Sequence, residues 1–235
     1  MSSDDRPPRP AASLVVVREM AGRRQVLLGK RRETQVFAPG KFVFPGGSLD
    51  PADEALQSGE QLPEFERTPL LCELSGHAQA IAPEALALAA IRETFEETGM
   101  VFGHATSGVP ASAAGGWPAF YASGFAPSLA GLSFIARAIT PPGRTRRFDA
   151  RFFLASATGV VLDTKATDGE FEELIWLTFD ELDRHNLHGV TRSVIEEAAG
   201  FLALGAEARR LAPVPFYFQD ATGWQRSELA REKRD

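Results

Sequence analysis

The chain has 235 residues, 44% of them hydrophobic, and a formal net charge of −6. That length suits one domain with elaborations, and the acidic balance argues against wrapping a nucleic acid polymer or lying on an anionic membrane. A single cysteine, Cys72, excludes an intramolecular disulfide. With no apolar run long enough for a membrane span and no apolar core for a signal peptide, the expected location is the cytoplasm.

Residues 1–11 read as a disordered lead-in. The β-branched run Ser13 to Val17 reads as a buried strand, and Gln25 to Gly29 as its hairpin partner, joined through Gly22-Arg23-Arg24. Lys30-Arg31-Arg32 leaves a basic cluster at that strand's end. Phe42-Val43-Phe44 reads as a short strand stopped by Pro45-Gly46-Gly47. Residues 48–80 lack periodicity, are rich in Pro, Ser, Gly and Glu, and exceed an ordinary connection, so they read as an insertion.

Pro83 opens a strong helix through Thr98, stopped by Gly99, with Leu88, Ile91 and Phe95 at core spacing. Residues 103–145 are rich in Ala, Gly, Ser and Pro, with short helices expected at 117–121 and 127–132. Phe148 to Ala157 reads as a strand with a short companion at 160–162, and Leu174 to Leu177 as another. Helices are expected at 180–187 and 190–204, with Val194, Ala198 and Phe201 on one face of the longer one. The tail from Trp224 reads as polar and frayed, which sets the expected domain at 12–222 and the tail at 223–235. The mixture implies an α/β or α+β sandwich.

The chemistry concentrates in Arg92-Glu93-Thr94-Phe95-Glu96-Glu97-Thr98-Gly99. Glu93 and Glu97, four apart, share a helix face, and Glu96 flanks them. They repel one another in a last turn where the helix dipole is already negative. Arg92 reaches Glu96 across one turn but leaves Glu93 and Glu97 unbalanced. A divalent cation would relieve the repulsion, and Mg²⁺ favours such hard carboxylate oxygens. The glycine pair at 46–47 could bring a bare carbonyl to the same ion. Taken alone, the cluster reads equally well as a solvated acidic helix end.

Arg-Glu-x-x-Glu-Glu-x-Gly at 92–99, with Glu84 before it and Phe-Pro-Gly-Gly at 44–47, resembles the signature of the Nudix hydrolases, G-x5-E-x7-R-E-U-x-E-E-x-G-U with U apolar. The second half matches from Glu84 through Met100, with Thr94 at the first U. Gly47 stands 37 positions before Glu84 where the family has six, which leaves 31 extra residues inside the signature. The loop at 37–50, the insertion, and the segments 139–141, 146–149 and 152–153 are similar to a subgroup typified by the peroxisomal coenzyme A diphosphatase of animals. Ala38 stands where other coenzyme A-cleaving relatives carry histidine.

The resemblance implies an α/β/α sandwich with a mixed sheet and a loop–helix–loop motif. It implies a diphosphatase in which Gly47, Glu93, Glu96 and Glu97 hold Mg²⁺ or Mn²⁺. Glu93, Glu97 or Glu170 is expected to take the proton from water, and Arg92 to orient Glu96. Arg31, Arg146 and Arg147 are candidate phosphate contacts, since guanidinium forks match phosphate oxygens, and Phe148 is a candidate stacking surface. The expected partner is a small-molecule diphosphate, with coenzyme A or an acyl derivative first and ADP-ribose, NADH, a dinucleotide or a nucleotide sugar as alternatives. No nucleic acid polymer or membrane is expected, and a homodimer is left open. A ligand-sensing Nudix domain without catalysis is the reading of another class, disfavoured by the intact glutamates.

Overall fold

The computed structural model describes residues 7–72, 81–166 and 169–231. Strand β1 (Arg9–Met20) and strand β2 (Arg23–Arg31) form a hairpin whose two-residue loop, Ala21-Gly22, has positive φ at both positions. That geometry matches the right-handed twist of the strands. The turn therefore precedes Arg23 and Arg24, which already belong to β2. Strand β1 also takes in Arg9 to Ala11 of the expected lead-in, of which residues 1–6 lie outside the described residues.

Two short strands, β3 (Phe42–Val43) and β4 (Gly46–Ser48), follow and pair with β2 and β1 respectively. The insertion supplies helices α1 (Pro51–Ala55) and α2 (Glu64–Leu70), and residues 73–80 of it lie outside the described residues. Helix α3 (Pro83–Thr98) ends as expected at Gly99, whose φ of 79° closes the helix by donating its N–H to the Phe95 carbonyl at 2.8 Å. A side chain at Gly99 would also meet the Thr164 carbonyl. Strand β5 (Met100–Ala105), helix α4 (Trp117–Ala122), strand β6 (Phe125–Pro127), strand β7 (Ser133–Ile139) and strand β8 (Phe148–Ser156) come next. They are followed by β9 (Val160–Asp163), β10 (Phe171–Thr178), α5 (Gly189–Ala203), α6 (Ala206–Leu211), β11 (Val214–Asp220) and β12 (Gly223–Leu229).

The main sheet is mixed, in the order β10-β2-β1-β8-β7-β11-β12, with β3 and β4 alongside β2 and β1. A smaller sheet runs β6-β5-β9. Successive residues of a strand point to opposite faces. Leu14 and Val16 accordingly enter one core with Leu86, Ile91 and Phe95 of α3, while Val15 and Val17 enter a second core with Val194, Ile195 and Ala198 of α5. The apolar run of β1 is thus explained by burial on both faces, and the layers are helix, sheet, helix, an α/β fold as expected. Helix α3 is buried on nearly every side and not only along Leu88, Ile91 and Phe95, since the insertion and α4 pack on its outer flank.

Several expectations are corrected. Residues 127–132 form no helix; they leave β6 through a turn in which Glu60 accepts from Leu129 N–H. Residues 180–187 carry only one 3₁₀ turn, at 182–184, because the chain is extended beside β3: Phe42 N–H donates to the Asn186 carbonyl and His188 N–H to that of Phe42. Strand β7 escapes a reading by apolar pattern because it carries Arg137, buried in a two-pronged pair with Asp149 at 2.8 and 2.7 Å.

Of the expected tail, Gly223–Leu229 is a strand and not frayed, and residues 232–235 lie outside the described residues. The strand is polar because it lies at the edge of the sheet with only Leu229 buried. Just beyond it, Arg231 is buried against Glu66 of α2 and donates to the Phe134 and Ala212 carbonyls. The Glu66 carboxylate also accepts from Phe134 N–H at 2.8 Å, so the insertion is pinned to β7 and to the chain's last described residue. Removing one partner of such a pair strands the other charge in the interior. Glu66→Ala is expected to lower unfolding free energy by about 3 kcal/mol or more in urea titrations; a loss under ~1 kcal/mol would show that the pair does not hold the insertion.

Candidate active site

The loop between β3 and β4 is laid across the end of β1, with Ser13 opposite Gly46 and Ala12 opposite Gly47. This brings the glycine pair against the last turns of α3. Gly46 N–H donates to Glu97 Oε2 at 2.8 Å. At Gly47 a Cβ would stand 2.4 Å from the Glu93 carboxyl carbon, so only a glycine lets the backbone come this close. One segment therefore touches both members of the four-apart glutamate pair.

Arg92 does more than meet Glu96. Its Nη1 donates to both Glu93 Oε1 and Glu96 Oε2 at 3.0 Å, and its Nη2 to the Ser48 carbonyl at 3.2 Å. The remaining donors form a two-pronged bond to Asp53, with Nε to Oδ1 at 2.8 Å and Nη2 to Oδ2 at 3.0 Å. All five guanidinium hydrogens are thus used. Asp53 is fully buried and also accepts from Trp117 Nε1 and from Asp50 N–H.

Sequence reasoning missed Asp53. It lies six residues after Gly47, the family spacing for the acidic residue that Glu84 had been taken to supply. Glu84 pairs instead with Arg67 of α2 at 3.3 Å. The extra residues thus enter after Asp53. The signal was present: Asp50-Pro51-Ala52-Asp53 forms a capping box with Pro in the first turn of α1. The insertion's two ends stand apart. The first reaches Arg92, but the second rejoins α3 at Pro83, roughly 15 Å along the helix from Glu93.

Burial is the largest influence on Glu93 and pushes its carboxyl up to about 7; Arg92 pulls it down, while Glu96 and Glu170 push it further up. Glu170 is thus within electrostatic reach of Glu93. It is held by Arg31 Nη1 at 2.7 Å. Arg31 also donates from Nε to the Phe37 carbonyl at 2.8 Å, so this expected phosphate contact is turned toward Glu170 and the Phe37 loop. Phe148 meets Phe37 edge-on at 5.3 Å, and Phe37 lies 5.3 Å from the His188 ring. Burial, then Lys41 and Arg144, hold the His188 imidazole below its usual pKa. Arg147 Nε donates to the Thr140 carbonyl at 3.1 Å, and Arg146 is exposed and forms no hydrogen bond or ion pair with described residues.

Among the described residues, no three acidic, histidine or cysteine side chains are gathered around one point as an ion's ligands. Glu93 and Glu96 turn to Arg92 instead. The donor set nonetheless suits a hard cation, since it consists of carboxylates beside the unshielded backbone of Gly47. Among the described residues, no helix is long and apolar enough to cross a membrane.

No family model matches the chain. The crystal structure of a Nudix hydrolase from Alicyclobacillus acidocaldarius is similar to it with a TM-score of 0.59 and 27% identity, over 82% of this chain and 91% of that one. The chain thus resembles the Nudix hydrolases in fold and in sequence. The Nudix domain of Shewanella oneidensis NrtR, solved with ADP ribose, shares the fold at 12% identity and a TM-score of 0.50, over 86% of this chain and 94% of that one. Among curated proteins, the acyl-coenzyme A diphosphatase NUDT19 of Xenopus laevis is 34% identical over 94 residues, 33% of this chain. The match spans 25% of that relative's length.

Two outcomes follow for this site. Asp53→Asn removes the charge that holds Arg92 and should cost about 3 kcal/mol of unfolding free energy in urea; an unchanged midpoint would show that Arg92 does not depend on it. Glu93 bears on pH. Its value in the folded state, about 7, exceeds the ordinary 4.5. The stability it contributes is therefore fully present below 4.5 and lost as pH rises through 7, by about 3 kcal/mol in all. In metal-free protein, wild type should lose about that much relative to Glu93→Gln between pH 4.5 and 8, and a pH-independent difference would contradict the raised value.

Proposed function

We propose that this chain hydrolyses the diphosphate linkage of a nucleoside-diphosphate derivative, with coenzyme A or an acyl-coenzyme A as substrate. The observation that carries the reading is the Gly46-Gly47 loop closing on Glu97 and Glu93 beside the Arg92 network. Glu93, Glu96, Glu97 and the Gly47 carbonyl would hold Mg²⁺ or Mn²⁺. When bound, the ion neutralises the diphosphate and acidifies a water.

The chain's own residues do the rest. Arg92 keeps Glu93 and Glu96 side by side. Glu93, with a carboxyl near 7, suits accepting a proton at neutral pH, and Glu170, fixed by Arg31, is its rival for that role. Water adds to one phosphorus, the phosphoanhydride bond breaks, and the other phosphate departs with the bridging oxygen. The Phe37, Phe148 and His188 rings offer the nucleoside an apolar surface connected through Arg31 to Glu170. Arg146 and Arg147 flank that surface and would take the 3′-phosphate of coenzyme A through charge-assisted bonds. The partial likeness to an acyl-coenzyme A diphosphatase supports this substrate over ADP-ribose or NADH. The single cysteine fits work in a reducing compartment, the cytoplasm.

Glu97→Gln keeps an oxygen for Gly46 N–H while removing the charge. It should cut turnover by roughly a hundredfold or more with the fold intact by circular dichroism. Turnover of coenzyme A, 3′-dephospho-coenzyme A, NADH and ADP-ribose with either ion identifies the substrate. Efficient cleavage of ADP-ribose or NADH with none of coenzyme A would overturn the substrate, and a fully active Glu97→Gln would overturn the centre.

A further inference from the structure

Strand β12 closes one side of the main sheet, and among the described residues no strand pairs with its outer edge. Which of its backbone groups face outward follows from its pairing with β11. Asp220 and Gly223 flank a two-residue turn and stand opposite each other, as the inner pair of a tight hairpin does when it exchanges hydrogen bonds. Such pairs alternate along an antiparallel ladder. Phe218 with Gln225, Phe216 with Ser227 and Val214 with Leu229 then bond inward, and Pro215, which has no N–H, falls opposite Glu228 in a pair that needs none. Both constraints give one answer: the N–H and C=O of Trp224, Arg226 and Glu228 point away from the sheet.

The same three residues carry their side chains on the face toward α5, where Arg226 meets Glu197 of α5 at 3.1 Å and Glu228 at 3.2 Å. Trp224 is 58% exposed. A free edge with a large exposed aromatic is a template for another strand.

We propose that a second copy of this chain docks here, its β12 antiparallel to the first about a two-fold axis at Ser227. In that register Arg226 lies opposite Glu228 of the second copy and Glu228 opposite its Arg226. Each of these pairs exchanges both backbone hydrogen bonds, and the four side chains form a square of alternating charge. Trp224 comes opposite Ala230 of the second copy and loses exposure. Moving the axis to residue 226 or 228 sets Arg226 against Arg226 or Glu228 against Glu228, so the charges select the register. The sequence of the edge is its own complement, and that self-complementarity names the occupant.

Sedimentation velocity and light scattering on the full chain across the micromolar range test this. Wild type is expected to be a dimer. Arg226→Glu sets glutamates opposite glutamates at both crossings and should weaken the dimer roughly tenfold or more, and Glu228→Arg should do the same from the other side. Arg226→Glu with Glu228→Arg restores opposite charges and should restore the dimer. Circular dichroism verifies that each variant is folded, and Glu228→Arg, which leaves the Arg226–Glu197 pair intact, carries the test if Arg226→Glu does not fold. A monomeric wild type, a single variant as dimeric as wild type, or a double variant that stays monomeric would each overturn the proposal.

Discussion

Arg92 is buried, and its one guanidinium faces Asp53, Glu93 and Glu96, an excess of two negative charges. Glu97 is buried nearby with its carboxylate on Gly46 N–H. Burial of carboxylates in excess costs free energy unless protons or cations neutralise them. The raised pKa of Glu93 is one answer, a proton retained toward neutral pH. A divalent cation is the other, and it would compete with that proton for the same oxygens. The geometry of the loop at 44–48, the depth of α1 and the orientation of the glutamates all hang on this hub, because Arg92 also binds the Ser48 carbonyl.

The insertion departs from the hub and is fastened elsewhere. Asp53 belongs to the site, but beyond it Glu60 holds Ser128 and Leu129, Glu66 holds Phe134 and Arg231, and Arg67 holds Glu84. Each anchor is an acid or base reaching backbone or a counter-charge on β7, the turn after β6, or the start of α3. None of these contacts involves the glutamates at the other end of α3. A long excursion can be accommodated within a catalytic motif when its own polar groups are satisfied against the scaffold, since loop length alone adds little entropic cost.

What the sequence made legible were features carried by strong local signals. The β1–β2 hairpin shows in its β-branched runs, and α3 in a proline at its start and a glycine at its end. The glutamate pair shows in its spacing. What remained hidden depended on distant partners. β7 is masked by Arg137, which is tolerable in a strand only because Asp149 from β8 meets it. β12 looks like a tail because an edge strand buries little. Asp53 sat in a stretch without periodicity, and its partner is 39 residues away. Arg31 looked like an open phosphate contact until Glu170, 139 residues on, occupied it.

The opening of the hairpin explains why these parts meet at all. β1 and β2 pair with each other only from Val17 to Met20 against Arg23 to Val26. Beyond that they part, and β3 fills the gap on β2 while β4 fills it on β1. The chain from residue 42 to 48 is therefore a wedge that passes from one core to the other. Phe42 and Phe44 sit in the core beneath α5, and Phe42 bonds the segment that leads to His188. A few residues later Gly46 and Gly47 lie against α3 on the opposite face. The glutamate centre and the aromatic group are thus hung from one short segment whose position is set by apolar packing on one side and by Arg92 on the other. One backbone segment therefore sets where both groups stand relative to each other, while the side chains at either end set the chemistry that each presents.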